Sequence, residues 1–300
     1  MQLDVGCATC VFSIGGLGFA VECTDAALAA ELTHRYRQFS NADKIHLTVR
    51  VQTAGQVRAS ASLDTSMAFS DGTVQFAAPG YEGFINAAQG EGRLALSSAQ
   101  PMDDLDYYVR VACAVLAFQA GGLLFHAAGI VRGGWGYVFF GCSGSGKTTV
   151  SRLSPHDVVL NDDLVLLMPA DRGWTVQATP FWNPSHVHPA GALAAPLAGL
   201  FHLVQDKQVY LETLYAAQAV AEVIASVPVI AADPSRTSQL LERGRRLVGA
   251  TPVYNLHFLP DPSFWPVVEQ TRSSALIINI SINSESSKNN TDVANSSHIH

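Results

Sequence analysis

The sequence predicts a mixed α/β fold in which a β-rich N-terminal region precedes a domain of alternating strands and helices. Short segments rich in β-branched and aromatic residues dominate residues 1–100, and glycine, aspartate or asparagine bounds them. Over residues 101–272, helical and strand patterns alternate instead. Hydrophobic residues make up 48% of the 300 residues, so the chain can bury a substantial core.

The N-terminal region is predicted to contain one helix among several strands. The helix covers residues 25–38, where Thr24 or Asp25 can cap it and alanine, leucine and tyrosine side chains fill one face. No group of residues in this half suggests catalysis. The predicted strands are 10–14, 18–23, 44–52, 73–78 and 93–97.

The second domain is predicted to begin with a helix over residues 103–120. Asp103 and Asp104 suit the positive end of that helix, and Gly121-Gly122 can terminate it. Further helices are predicted at 211–226 and 234–248, with a short one from 261. The predicted strands are 123–131, 135–140, 157–161, 164–168, 174–178, 198–204 and 253–259.

Composition excludes several classes of protein. The net charge is −7 without a cluster of lysine and arginine, which argues against nucleic acid as a partner. No run of about 20 apolar residues suggests a membrane span, and no signal peptide is evident, so the expected location is cytoplasmic. Five irregularly spaced cysteines do not form a disulfide framework. Residues 273–300 are rich in serine and asparagine and are predicted to be disordered.

Residues 141–148 carry the clearest chemical signal, and they read Gly-Cys-Ser-Gly-Ser-Gly-Lys-Thr. The pattern GxxxxGK(S/T) is typical of a phosphate-binding loop, in which glycines let backbone N–H groups point at phosphate oxygens. Lys147 can reach the β- and γ-phosphates of a nucleotide, and the Thr148 hydroxyl can bind Mg²⁺. The residues predicted to bind the nucleotide are Gly141, Cys142, Ser143, Gly144, Ser145, Gly146, Lys147, Thr148 and Thr149.

An acidic pair and a histidine complete the candidate site. Asp162 and Asp163 follow an apolar run, and a carboxylate at a strand end near the loop is suited to hold Mg²⁺. One acid can serve the metal while the other accepts a proton from an attacking hydroxyl; an ordinary acidic turn is the alternative. His126 lies in an otherwise apolar strand one hairpin before the loop, where strand pairing can bring it near the phosphates. A structural histidine is the other interpretation.

These elements together resemble the HPr kinase/phosphorylase family, and in particular its shorter HPr kinase-related members. The resemblance covers residues 122–167 and depends on Leu-Leu-Phe-His-Ala-Ala-Gly, the loop itself and Leu-Asn-Asp-Asp-Leu-Val-Leu. The same order is similar to the kinase core of ATP-dependent phosphoenolpyruvate carboxykinase. The resemblance implies a mixed-sheet P-loop kinase core of this type over residues 101–272, preceded by the β-rich region of residues 1–100.

The resemblance also implies roles for individual residues. The loop binds the triphosphate, and Thr148 and Asp162 lie on the Mg²⁺ side. Asp163 is the base, although the roles of the two acids could be exchanged, and His126 matches the family's histidine near the metal and phosphates. Residues 180–188 contain no counterpart of the glutamate that binds metal in bifunctional HPr kinases. Asn183, His186 or His188 could replace it or form an ordinary surface group.

The resemblance therefore predicts a kinase that uses ATP and Mg²⁺ to phosphorylate a hydroxyl. The expected acceptor is a serine of a peptide or small protein, including a ribosomally made peptide precursor. A small-molecule hydroxyl kinase, a nucleotide-hydrolysing switch and a non-catalytic nucleotide-binding regulator are the alternatives. Neither nucleic acid nor a membrane is an expected partner, and the sequence leaves a homo-oligomer open.

Overall fold

The computed structural model describes residues 7–58, 66–70, 72–181, 187 and 189–271, and these form two mixed β-sheets with six helices. This confirms a mixed α/β architecture. The predicted disordered tail, residues 273–300, lies outside the described residues.

The first sheet has seven strands in the order β1-β2-β3-β7-β6-β5-β4. Helix α1 (Ala26–Arg35) connects β2 to β3, which run parallel, and the Asp25 carboxylate caps the helix by accepting from two backbone N–H groups. The strands are β1 (Ala8–Ile14), β2 (Leu17–Cys23), β3 (Ile45–Arg58), β4 (Ser66–Ser70), β5 (Thr73–Ala78), β6 (Tyr81–Asn86) and β7 (Glu91–Ser98).

Helix α2 (Pro101–Gln119) connects the two sheets, and its bounds confirm the predicted helix to within two residues. It packs on β7 of the first sheet and on β8 (Leu123–Arg132) of the second. Most of its side chains are buried, and one hydrophobic core extends from the first sheet through α2 into the second. Within the described part of the chain, no helix is both long enough and apolar enough to cross a membrane.

The second sheet has eight strands, of which seven follow the order β10-β8-β11-β12-β13-β15-β14. Strand β9 pairs with both β8 and β13, so the pairings of β8, β11, β12, β13 and β9 form a closed circuit. The remaining strands are β9 (Trp135–Phe140), β10 (Val158–Asn161), β11 (Leu164–Pro169), β12 (Trp174–Gln177), β13 (Ala194–Gln205), β14 (Tyr210–Thr213) and β15 (Val253–Phe258).

The helices of this half are α3 (Lys147–Arg152), α4 (Ala216–Ala225), α5 (Thr237–Ala250) and α6, residues 264–271. The predicted helix at 211–226 is wrong in its first part, because Tyr210–Thr213 forms strand β14 and the helix begins only at Ala216. Pairing with β15 overrides the helical pattern there. Strands β4 and β6 are not predicted, since short strands of mixed polarity give a weak signal.

Candidate functional site

The loop of residues 141–146 connects the end of β9 to the start of α3. Its glycines adopt left-handed backbone conformations, with φ of 147° at Gly141, 80° at Gly144 and 115° at Gly146. Residues with a side chain rarely adopt such angles. A Cβ atom at Gly146 would also lie 2.6 Å from Cζ of the buried Phe258. The spacing of glycines in the motif therefore matches the backbone that the loop adopts.

Two glycine substitutions should separate backbone strain from crowding. At Gly144, where a Cβ atom meets nothing within 4 Å, alanine adds only strain and should lower the free energy of unfolding by about 1 kcal/mol. At Gly146, strain and the contact with Phe258 act together, so alanine should cost about 3 kcal/mol. Urea unfolding of both variants measures the difference, and equal losses would contradict this account of the loop.

Lys147 is the first residue of α3, and its side chain folds back over the loop. The Lys147 Nζ donates to the carbonyl oxygens of Gly141 at 3.0 Å and of Cys142 at 3.1 Å. The side chain is buried, and burial lowers the pKa of the Lys147 ammonium, while Asp163 and then the more weakly acting Asp162 oppose this shift. A cation thus lies over the curled loop with two carboxylates near enough to affect it.

The acidic pair lies at an interruption between two strands. Both β10 and β11 pair antiparallel with β8, and Asp162 and Asp163 fill the gap between them. The backbone stays paired across the gap, because Ala127 N donates to the carbonyl oxygen of Asp163 at 3.0 Å. The neighbouring register places His126 opposite Leu164. The pairing of β8 with β11 therefore brings His126 next to the acidic pair.

Asn161 fixes the turn that carries the two carboxylates, a role that was not predicted from the sequence. Its Nδ2 donates to the carbonyl oxygens of Thr179 at 3.1 Å and Phe181 at 2.9 Å. Its Oδ1 accepts from the backbone N–H groups of Asp163 at 2.8 Å and Leu164 at 3.0 Å. The side chain is fully buried, so these bonds hold the turn rigidly. An asparagine just before an acidic turn is the signal that could have identified it.

The loop, both acids and the histidine surround one cavity of about 310 Å³. His126 Nε2 lies 3.3 Å from Asp163 Oδ1, and the side chains of these residues are 41% and 24% exposed. His126 is therefore open to the cavity rather than a buried core residue. The residues lining the cavity are His126, Ser143, Gly144, Gly146, Lys147, Thr148, Thr149, Asp162 and Asp163.

Several predicted residues do not line this cavity. Gly141 and Ser145 are buried in the base of the loop, and Cys142 is exposed on it. Gly141 and Cys142 act through the backbone, since their carbonyl oxygens accept hydrogen bonds from Lys147. The candidate substitute ligands Asn183, His186 and His188 lie outside the described residues.

Arg110 also reaches the acidic pair, a contact that was not predicted from the sequence. Its NH1 lies 3.8 Å from Asp163 Oδ2, and its Nε lies 2.8 Å from Asp106 Oδ2. Arg110 and Asp106 are four residues apart on α2, so both face the same side of that helix. An aspartate and an arginine spaced four residues apart on a largely buried helix are the sequence signal that could have identified this contact.

The donor atoms around the cavity suit a hard divalent cation. Over the described residues, no group of three or more histidine, cysteine, aspartate or glutamate side chains could hold a metal ion by itself. The cavity does offer the Thr148 hydroxyl and the carboxylate of Asp162, which are oxygen ligands. Mg²⁺ commonly uses one or two carboxylates and completes its shell with phosphates and waters. These residues therefore fit Mg²⁺ when it is shared with a phosphate ligand.

Comparison with known proteins identifies a family for the region that contains the cavity. The model of the family described as "SynChlorMet cassette protein ScmC" matches residues 107–272, which include every residue lining the cavity. Among solved structures, the chain is similar to the Hpr(Ser) kinase/phosphatase from Coxiella burnetii. The identity is 9% and the TM-score 0.27, over 52% of this chain and 98% of that one. No match is found among curated proteins.

Proposed function

This chain belongs to the SynChlorMet cassette protein ScmC family, and we propose that it is a kinase that uses ATP and Mg²⁺ to phosphorylate a hydroxyl group. One observation carries the proposal. A glycine-rich loop with a buried lysine, two adjacent carboxylates and a histidine surround the same cavity, although up to 37 residues of sequence separate them. This combination can supply what phosphoryl transfer needs, because the phosphates must be held, their charge offset and the attacking hydroxyl oriented.

The loop would bind the triphosphate of ATP. Left-handed glycines curl the backbone so that its N–H groups can face phosphate oxygens, as the conformations of Gly144 and Gly146 allow. Lys147 would exchange its two carbonyl acceptors for phosphate oxygens, which carry full negative charge and accept more strongly. Helix α3 has only six residues, so the loop and the lysine carry most of this role rather than the helix dipole.

Thr148 and Asp162 would hold Mg²⁺ in this site. Both line the cavity and carry side-chain oxygen atoms, and Asp162 is buried with its Oδ2 accepting from the Val187 N–H at 3.2 Å. That hydrogen bond fixes the carboxylate in place. A bound Mg²⁺ ion supplies charge that offsets the negative charge of the phosphates during transfer.

Asp163 would act on the acceptor. Its side chain is partly exposed at the cavity and can accept the proton of an attacking hydroxyl. The hydroxyl oxygen forms a bond to the γ-phosphorus, the bond between that phosphorus and the bridging oxygen breaks, and ADP leaves. His126, 3.3 Å from Asp163, can orient the carboxylate and contact the transferred phosphoryl group. Exchanged roles of Asp162 and Asp163 would leave the overall chemistry the same.

We propose a serine of a peptide or small protein as the acceptor. The family name describes a cassette protein, so peptides encoded in the same cassette are the first acceptors to test. Incubation with ATP labelled on its γ-phosphate, Mg²⁺ and these peptides should give labelled phosphoserine. Label found only in inorganic phosphate would indicate a hydrolysing switch instead. Transfer to free serine or a sugar but to no peptide would indicate a small-molecule kinase, and unchanged ATP would overturn the proposal.

A further inference from the structure

A buried carboxylate lies behind the candidate site, at the boundary between α2 and the first sheet. The Asp106 side chain is 3% exposed. A buried charge is costly unless partners surround it, and Asp106 has three. The Tyr36 hydroxyl donates to its Oδ1 at 2.7 Å, Arg35 Nε lies 3.3 Å from the same oxygen, and Arg110 Nε contacts Oδ2 at 2.8 Å.

Tyr36 secures this group from the N-terminal side. Its ring is buried and packs 4.6 Å from the Phe12 ring centroid and 6.5 Å from that of Phe181. Burial, together with the charge of Asp106, raises the pKa of Tyr36 well above its usual value. The hydroxyl therefore keeps its proton and remains a donor to Asp106.

Arg110 connects the buried carboxylate to the candidate site. It holds Asp106 with Nε, extends NH1 to 3.8 Å from Asp163 Oδ2, and lies over the Phe181 ring at 5.6 Å from the centroid. Arg110 does not itself line the cavity. Among the residues that line the cavity, Arg110 contacts Asp163, whose other carboxylate oxygen faces His126.

We infer that Arg110 is a positioning residue for Asp163, and that the N-terminal region holds it in place through Tyr36 and Asp106. The inference rests on the proposed function, because it assigns Arg110 to the orientation of the proposed base. It also gives the first hundred residues a part in the site. Tyr36 and Asp106 both precede the region that the family model matches, which begins at residue 107.

This arrangement predicts an effect on turnover rather than on nucleotide binding. Arg110→Met removes the charge and the fork that orient the carboxylate, so kcat should fall about 10- to 100-fold. The Kd for ATP should stay within about threefold, since Arg110 does not line the cavity. Arg110→Lys keeps the charge but has a single ammonium in place of the fork, so it should recover only part of the lost rate. Tyr36→Phe removes one hydrogen bond to Asp106 and should lower kcat about threefold.

A double variant tests whether Tyr36 acts through Arg110. If it does, Tyr36→Phe combined with Arg110→Met should be no slower than Arg110→Met alone. Tyr108→Phe is the matched control, because the buried Tyr108 hydroxyl also joins α2 to the first sheet, through the Phe84 carbonyl oxygen at 2.7 Å. That control should lose stability but keep kcat. Rates are measured as transfer from labelled ATP to peptide or water, with thermal melts for every variant.

The outcomes separate this inference from the proposed function. Loss of transfer in Asp163→Asn together with full transfer in Arg110→Met would overturn the inference and leave the proposed function standing. An equal loss of rate in Tyr108→Phe and Tyr36→Phe would also overturn it, since a general loosening of α2 would then explain both. Wild-type protein that transfers phosphate to neither peptide nor water would overturn the proposed function and this inference with it. Should Arg110→Met not fold, Arg110→Lys and Tyr36→Phe decide alone.

Discussion

Replacing Lys147 with alanine should weaken ATP binding about 100-fold or more. The ammonium is proposed to donate to phosphate oxygens, and hydrogen bonds to charged groups contribute about 1.5–3 kcal/mol each. Losing two of them corresponds to roughly 3 kcal/mol, and every 1.4 kcal/mol is a factor of ten in affinity. The Lys147 side chain is already buried over the loop in the free protein, so it loses little conformational entropy when ATP binds.

The chain provides a matched control for this prediction. Lys207 is one of only four lysines in the sequence and lies exposed just beyond the end of β13. Lys207→Ala changes the net charge by the same amount and should leave the affinity within about twofold. Titration of each variant with ATP and Mg²⁺ by calorimetry gives both constants. If Lys147→Ala binds ATP as tightly as wild type, the loop of residues 141–146 does not bind the triphosphate.

The parts of the site that sequence could predict are those set by local pattern. The left-handed backbone angles of the loop require glycine at these positions. The fixed spacing of glycines in the motif therefore predicts the backbone of the loop. The hairpin of β8 and β9 brings His126 near the loop, as the sequence predicted. Its contact with Asp163 depends on the pairing of β8 with β11, which was not predicted. The structure places these residues around one cavity, and their catalytic roles remain predictions.

The parts that sequence could not predict depend on contacts between distant segments. The Tyr36 hydroxyl and Asp106 are 70 residues apart, and nothing in either segment specifies that they meet. Strand β14 is a similar case, since the pattern from Leu211 onward suits a helix and only pairing with β15 makes its start extended. Tertiary contacts of this kind override local conformational preference, and the hydrophobic periodicity of the sequence does not reveal them.

Replacing Asp163 with asparagine should lower phosphoryl transfer about 100- to 10,000-fold, the range that a positioned general base contributes. Asparagine has nearly the same shape and can still contact His126 and Arg110, but it cannot accept the proton of the attacking hydroxyl. ATP binding should therefore stay within about threefold of wild type, because the triphosphate is proposed to bind the loop and Lys147. Transfer of label from ATP and calorimetric titration measure the two effects separately.

Two further aspartate variants make the result decisive. Asp171→Asn changes an exposed turn on the far side of β11 and should leave both quantities unchanged. Asp162→Asn removes the proposed Mg²⁺ ligand, so its transfer should recover in part as Mg²⁺ is raised, whereas transfer by Asp163→Asn should not respond. The reverse pattern would exchange the roles of the two acids. Full transfer in both variants would show that neither aspartate of this turn is the base, since Asp162 and Asp163 are the carboxylates that line the cavity within the part of the chain that the structure describes.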